Sequence, residues 1–245
     1  MSMITVPRVG GLALIIGAVT YIVSTLLMPG FVIGAAGPND LQATLDAIAS
    51  RPLLTYFAAA IGAVGVMFLL WGYLVVWQTA QTPCALDIFI KYGLVGVMIA
   101  VVFLLLGHGF SYTASHVIER GIGAGTGPDQ TEALNVTARQ MLSAGAVARL
   151  VGAVAGLTGY IALGFGFARK FKPGGYRELA RVVGIVATVS MIGLMLTVPF
   201  SDFMNPSGPV FTALSILYFL WWIVIGVGVY QQRFALQVGV VTPEH

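Results

Sequence analysis

Long apolar runs separated by short polar connections dominate the chain. Six of them reach membrane length: Gly10 to Met28, Leu53 to Trp77, Ile88 to Tyr112, Leu150 to Ala168, Val182 to Phe200 and Phe211 to Tyr230. A hydrocarbon core about 30 Å thick is crossed by roughly 20 residues of helix. Backbone N–H and C=O groups find no water there, so each run is predicted to close its hydrogen bonds internally as an α-helix. A transmembrane β-barrel would instead show short segments of alternating polarity. The predicted fold is all-α: one domain over residues 1–245, an integral membrane bundle of about six transmembrane helices.

Two connections are long. In the first, Pro29 to Pro52, the stretch Asn39 to Ile48 has apolar residues at helical spacing behind Asn39 or Asp40 as cap, which predicts a short amphipathic helix. The second runs from Thr113 to about Ala148. It holds the run Gly121 to Gly127, then Pro128, which opens a helix leading into the fourth span. The glycine run follows no predicted strand, so it reads as a flexible connector and not as a phosphate-binding loop.

Composition supports the membrane reading. Hydrophobic residues make up 58% and charged residues 9% of the chain, with a mean hydropathy of +0.93. A soluble domain carries roughly a quarter charged residues, enough to cover a watery surface. The formal charge is +3, but its placement matters more than its size. Arg8, Lys91, Arg169, Lys170, Lys172, Arg177, Arg181 and Arg233 fall on one side of the predicted topology. Only Arg51, Arg120, Arg139 and, at its edge, Arg149 fall on the other, together with Asp40, Asp46, Glu119, Asp129, Glu132 and Asp202. The positive-inside rule makes the first side cytoplasmic, with both termini on it, and a bacterial inner membrane the expected location. Topology accounts for the basic residues, so nucleic acid is set aside as a partner. Trp71, Trp77, Trp221 and Trp222 lie toward span ends and predict an aromatic belt. The single cysteine, Cys84, precludes an internal disulfide. The first apolar run is too long for a signal-peptide core and lacks a small-residue cleavage site.

Candidate chemistry is sparse. No Asp, Glu or Lys lies at the centre of a span, whereas ion-coupled transporters need ionisable groups or broken helices there. Ionisable groups gather at the non-cytoplasmic boundary. Counting about 1.5 Å per residue from the basic ends, Arg51, His108, Arg149 and Asp202 share one depth, and Arg149 and Asp202 are candidates to pair across the fourth and fifth spans. The alternative is that each snorkels to headgroups. The third span continues as His108, Ser111, Tyr112, Ser115, His116 and Glu119. His108, Tyr112 and His116 are four residues apart and fall on one slowly drifting face, with Glu119 in the adjacent row. The pattern His116-x-x-Glu119 occurs in helical metal sites. His108 and His116 lie about 12 Å apart along the axis, so both cannot ligate one ion. A single axial histidine, or a metal shared with Glu119 and Asp46, stays open; a polar cap where the helix leaves the membrane is the plainer reading. No nucleophile–base pair stands out, and no cofactor follows. Ala148, Gly152 and Gly156, with Gly62/Gly65 and Gly93/Gly96, mark smooth faces for close helix packing. Hydroxyls at Thr20, Tyr21, Ser24, Tyr56, Tyr73, Thr158, Tyr160, Thr188, Ser190 and Tyr218 would line an apolar pocket with a few polar points if they converged.

The opening Arg8 to Gly17, the helix Asp40 to Ser50, the loop Lys172-Pro173-Gly174-Gly175 and the final Leu220-Trp221-Trp222 resemble a bacterial multi-span membrane-protein family catalogued only as a domain of unknown function. The resemblance implies a multi-span helical fold and carries no activity or site residue. Three functional readings follow. The leading one is a non-catalytic membrane protein binding a lipid, a small apolar ligand, or a partner membrane subunit or second copy. The others are a metal- or haem-dependent enzyme at His108, Tyr112, His116 and Glu119, and a transporter or channel.

Overall fold

A computed structural model describes residues 6–30, 41–79, 85–123, 127–197 and 209–231. Asp40, Cys84, Asp202, Arg233 and residues 124–126 lie outside them. The described residues form seven α-helices: α1 (Val6–Leu27), α2 (Leu41–Ala49), α3 (Pro52–Thr79), α4 (Ala85–Gly123), α5 (Pro128–Lys170), α6 (Gly175–Thr197) and α7 (Pro209–Tyr230). All except α2 are long and apolar enough to cross a bilayer, so the chain is a polytopic membrane protein. Large apolar side chains stand exposed along the outward faces, such as Leu12, Ile16, Val19 and Val23 on α1 and Phe57, Val64, Met67 and Trp71 on α3. A soluble surface does not tolerate such continuous stripes; here lipid covers them.

The spans pack in the order α6–α5–α4–α3–α1–α7, each against the next. The start of α1 meets the end of α7, where a side chain added at Gly11 would strike the Gly226 carbonyl and the Tyr230 backbone. Glycine sets the spacing at several crossings. A Cβ at Gly17 would lie 2.7 Å from the Leu69 nitrogen, at Gly159 2.7 Å from the Gly93 carbonyl, and at Gly164 2.5 Å from Gly184 Cα. Backbones this close gain dispersion contacts, which hold helices together where lipid tails are as apolar as the helices themselves.

α7 lies in the concave side of this curved row and reaches across it with aromatic side chains. Tyr218 stacks on Tyr160 at 4.2 Å, Trp222 packs on Tyr73 at 4.6 Å, and Trp221 meets Phe167 edge-on at 5.9 Å. Trp222 Nε1 donates to the Tyr160 hydroxyl at 3.1 Å. The aromatic belt expected of Trp221 and Trp222 is therefore not their role: both are buried along the bundle axis. Toward α1, Gly226 of α7 sits against Gly11 and Ile15, while Phe219 packs on Tyr21 at 4.5 Å. Trp71 is half exposed toward lipid, and Trp77 carries Lys91 Nζ over its ring at 5.8 Å.

α4 and α5 have 39 and 43 residues, hence about 58 and 65 Å of helix, twice the hydrocarbon thickness. Their surplus projects beyond the bundle as a packed pair of helices. α2 lies on it, burying Leu45 and Ile48 against Ala114 of α4 and Ala138 and Leu142 of α5. Gly30, at a φ of +85°, turns the chain out of α1 beneath Thr44 of α2, a backbone conformation that β-carbons disfavour. Arg139 holds Gln42 through two hydrogen bonds, of 3.1 and 2.6 Å. The result is a second, small core at one end of the bundle.

Candidate functional site

The stripe on α4 divides between two environments. Four residues of α-helix turn about 400°, so each step from His108 to Tyr112 to His116 drifts by about 40°. That drift separates them. His108 is only 8% exposed and turns into the bundle, its Nε2 3.2 Å from the Tyr21 hydroxyl of α1, with the two rings edge-on. Ser24 and Gly62 provide the space: a Cβ at Gly62 would strike Ser24 Oγ, which itself donates to the Ala58 carbonyl at 2.7 Å. Tyr112 is 45% exposed and packs on Tyr56 of α3. The Tyr56 hydroxyl donates to Glu119 Oε2, tying α3 to the projecting end of α4. His116 is half-buried between these groups along the helix. Asp46 accepts from Gln42 Nε2 at 2.9 Å. Among the described residues no three His, Cys, Asp or Glu side chains gather closely enough to hold a metal ion.

Arg51 is exposed in the turn joining α2 to α3, its nitrogen bonded to the Ile48 carbonyl. Arg149 is placed differently. Its side chain lies between α4 and α5, with Cγ 3.0 Å from where a Cβ of Gly107 would stand and Nη1 3.6 Å from that of Gly145. Two glycines thus make room for one guanidinium. The proposed partner Asp202 lies outside the described residues.

Below Arg149 the helices part. α7 diverges from the α4–α5 pair and leaves a partly open cleft. Gly152 and Gly156 form one wall with Ala100 of α4, which approaches the position of either missing Cβ to within about 3.2 Å. Leu104, Leu214 and Phe219 supply further apolar surface. The stacked rings of Tyr160 and Tyr218 close it at the far end. Arg149 and Tyr160, eleven residues apart on α5, stand about 16 Å apart along that helix. Arg149 is the one charged residue among those lining it. The Tyr218 hydroxyl lies beside Ser190, yet it makes no hydrogen bond of ordinary geometry among the described residues and is buried.

The sequence marked Arg149, Gly152, Gly156, Tyr160 and Tyr218 singly, for charge, packing or hydroxyl content. What it could not supply is their convergence, because that depends on where α7 sits. Ala100, Leu104, Leu214 and Phe219 carry no signal that separates them from any other apolar span residue.

No protein-family model matches this chain, no curated protein matches it, and no solved structure matches it.

Proposed function

We propose that this protein is a non-catalytic multi-pass membrane protein that binds a lipid or another small apolar molecule in the cleft between α4, α5 and α7. The observation that carries this reading is the cleft itself: concave, partly open and apolar-walled, with few polar points. The aromatic layer of Phe167, Tyr73, Trp221 and Trp222 fills the bundle axis below it, which favours a blind pocket over a conduit. The basic residues at the open ends of α1, α4, α5 and α6 support a cytoplasmic assignment for that end and for both termini, in a bacterial inner membrane. The α2 end then faces outward, and the cleft opens within that leaflet.

Native mass spectrometry of protein released in a mild detergent tests the reading. A bound lipid or small-molecule mass is expected on the wild-type protein and absent from Ala153→Trp, which fills the cleft. Both proteins must elute as folded species of the same size. Folded wild-type protein without any bound mass, including after incubation with membrane lipid extract, would overturn it.

A further inference from the structure

The turn between α5 and α6 gathers cations: Arg169, Lys170, Lys172, Arg177 and Arg181. Two of them are engaged. Arg181 Nη1 lies 2.7 Å from Glu178 Oε2, and Lys170 has a contact of its own. Arg169, Lys172 and Arg177 make neither an ion pair nor a side-chain hydrogen bond among the described residues. Glu178 and Asp87, the latter in the first turn of α4, are the acids that the helices carry at this end. α5 and α6 meet at Gly164 and Gly184, where a Cβ added to Gly164 would lie 2.5 Å from the facing backbone. The two helices are antiparallel and each residue advances about 100°, so the residue after each contact glycine turns to the same side of the pair. Those residues are Phe165 and Ile185, 41% and 49% exposed, and they give that side an apolar surface for lipid. Arg169, exposed and one turn beyond Phe165, stands over this surface about 6 Å nearer the turn. Arg177 lies seven residues before Gly184, nearly two full turns, and so falls on the side of α6 that meets α5, about 10 Å above the crossing. It is half-buried there: Nε is sealed in the seam, and the charged end reaches the interface. A Cβ at Gly174 or Gly175 would meet nothing within 4 Å, so the turn above is open.

Orientation in the membrane requires only that cations be present in this loop. It does not call for one in the packed seam, nor for one in the first turn of α6, where the helix dipole disfavours positive charge. We infer that the α5–α6 hairpin binds the head of an anionic phospholipid from the leaflet at this end. The phosphate lies between Arg169 and Arg177, with Lys172 in the turn above, and the acyl chains lie over Phe165 and Ile185. Guanidinium groups hold phosphate oxygens through paired N–H donors, and neither arginine has to give up a partner to do so. The depth also fits, because a lipid phosphate sits where hydrocarbon gives way to water, and here that change falls within one turn of helix, between Phe165 and Arg169. A soluble anion would match the cations and leave the apolar surface beneath them unused. The site is separate from the cleft, which no residue of α6 lines.

The test offers full-length protein in mild detergent equal amounts of phosphatidylglycerol and phosphatidylcholine, both with dioleoyl chains, and reads the bound ratio by native mass spectrometry. The two lipids share chains and phosphate and differ in net head charge. Wild-type protein is expected to prefer phosphatidylglycerol by about tenfold. The double variant Arg169→Gln, Arg177→Gln is expected to bring the two within about twofold. Arg8→Gln removes a charge at the same end but on α1, and is expected to leave the ratio unchanged. The ratio is read within each variant, so a general loss of affinity does not mimic the effect. If the double variant fails to fold, Arg169→Gln alone decides: its side chain is exposed, and a fall of about threefold is expected. Equal binding of the two lipids by the wild type would overturn the inference, as would an equal loss of preference in Arg8→Gln, which would mean attraction to net charge alone. Excess inorganic phosphate is expected to leave phosphatidylglycerol bound; its displacement would overturn the lipid as occupant. Ala153→Trp is expected to keep the wild-type ratio, and loss of the preference there would move the lipid to the cleft and overturn the hairpin site.

Discussion

Gly159 offers the sharpest test of how the spans are held together. A Cβ there would lie 2.7 Å from the Gly93 carbonyl oxygen, 2.8 Å from the Val97 nitrogen and 3.1 Å from the Gly96 carbonyl carbon. All three are backbone atoms of α4, so no rotamer change relieves the contact. To reach an ordinary separation of about 3.4 Å the helices must part by about 0.7 Å, and a gap of that size forfeits a quarter to a half of each dispersion contact near the crossing. Overpacking of this kind costs about 1–3 kcal/mol. Gly159→Ala is therefore expected to lower unfolding free energy by about that amount. Two comparisons isolate the cause. At Gly156 the neighbour is the Ala100 methyl at 3.1 Å, so Gly156→Ala is milder. Gly109 faces open space, so Gly109→Ala is neutral or slightly stabilising, since alanine favours helix by up to about 1 kcal/mol. Titration from mild detergent into dodecyl sulfate, followed by tryptophan fluorescence, ranks the three. Equal stability of Gly159→Ala and Gly109→Ala would refute backbone proximity as the organising feature of the α4–α5 pair.

Other outcomes follow from the same geometry. Trp222→Phe removes the donor to Tyr160 and opens space beside Tyr73, so a loss of about 2–4 kcal/mol in the same titration is expected. Tyr218→Phe deletes a buried hydroxyl that lacks an ordinary partner; in delipidated protein it is expected to leave stability unchanged or raise it by up to about 1 kcal/mol, and a large loss would reveal a partner. Ile48→Asp puts a charge into the small α2 core, so limited proteolysis is expected to cut near α2 while the dodecyl sulfate midpoint of the bundle stays put. Intact protection of α2 would contradict its docking through Leu45 and Ile48.

The number and nature of the spans were legible because lipid imposes one solution on the backbone, and apolar length alone reveals it. The helix opening at Pro128 was legible for an equally local reason, the residue's fit to a first turn. Facing was not. Spacing by four put His108, Tyr112 and His116 on one face, but a drift of about 40° per step was enough to send His108 to Tyr21 and Tyr112 to Tyr56. The tryptophans misled in a related way. Trp221 and Trp222 read as interfacial anchors because tryptophan is enriched at interfaces, yet on α7 they are what spans the axis. An apolar helix has no polar face to declare which side is inward, so its partners decide.

The length of α5 has a mechanical consequence. The rod that carries Ala138 in the small core also carries Gly152 in the cleft wall, and it is clamped to α4 at Gly159. Ala138 lies about 32 Å from that clamp and Gly152 about 10 Å. α4 is packed against α5 at Gly145 and Gly152 as well as at the clamp, so the two helices tilt as one body, and a displacement of the small core is carried to the membrane-embedded wall of the cleft through a packed pair of helices and not through a loop.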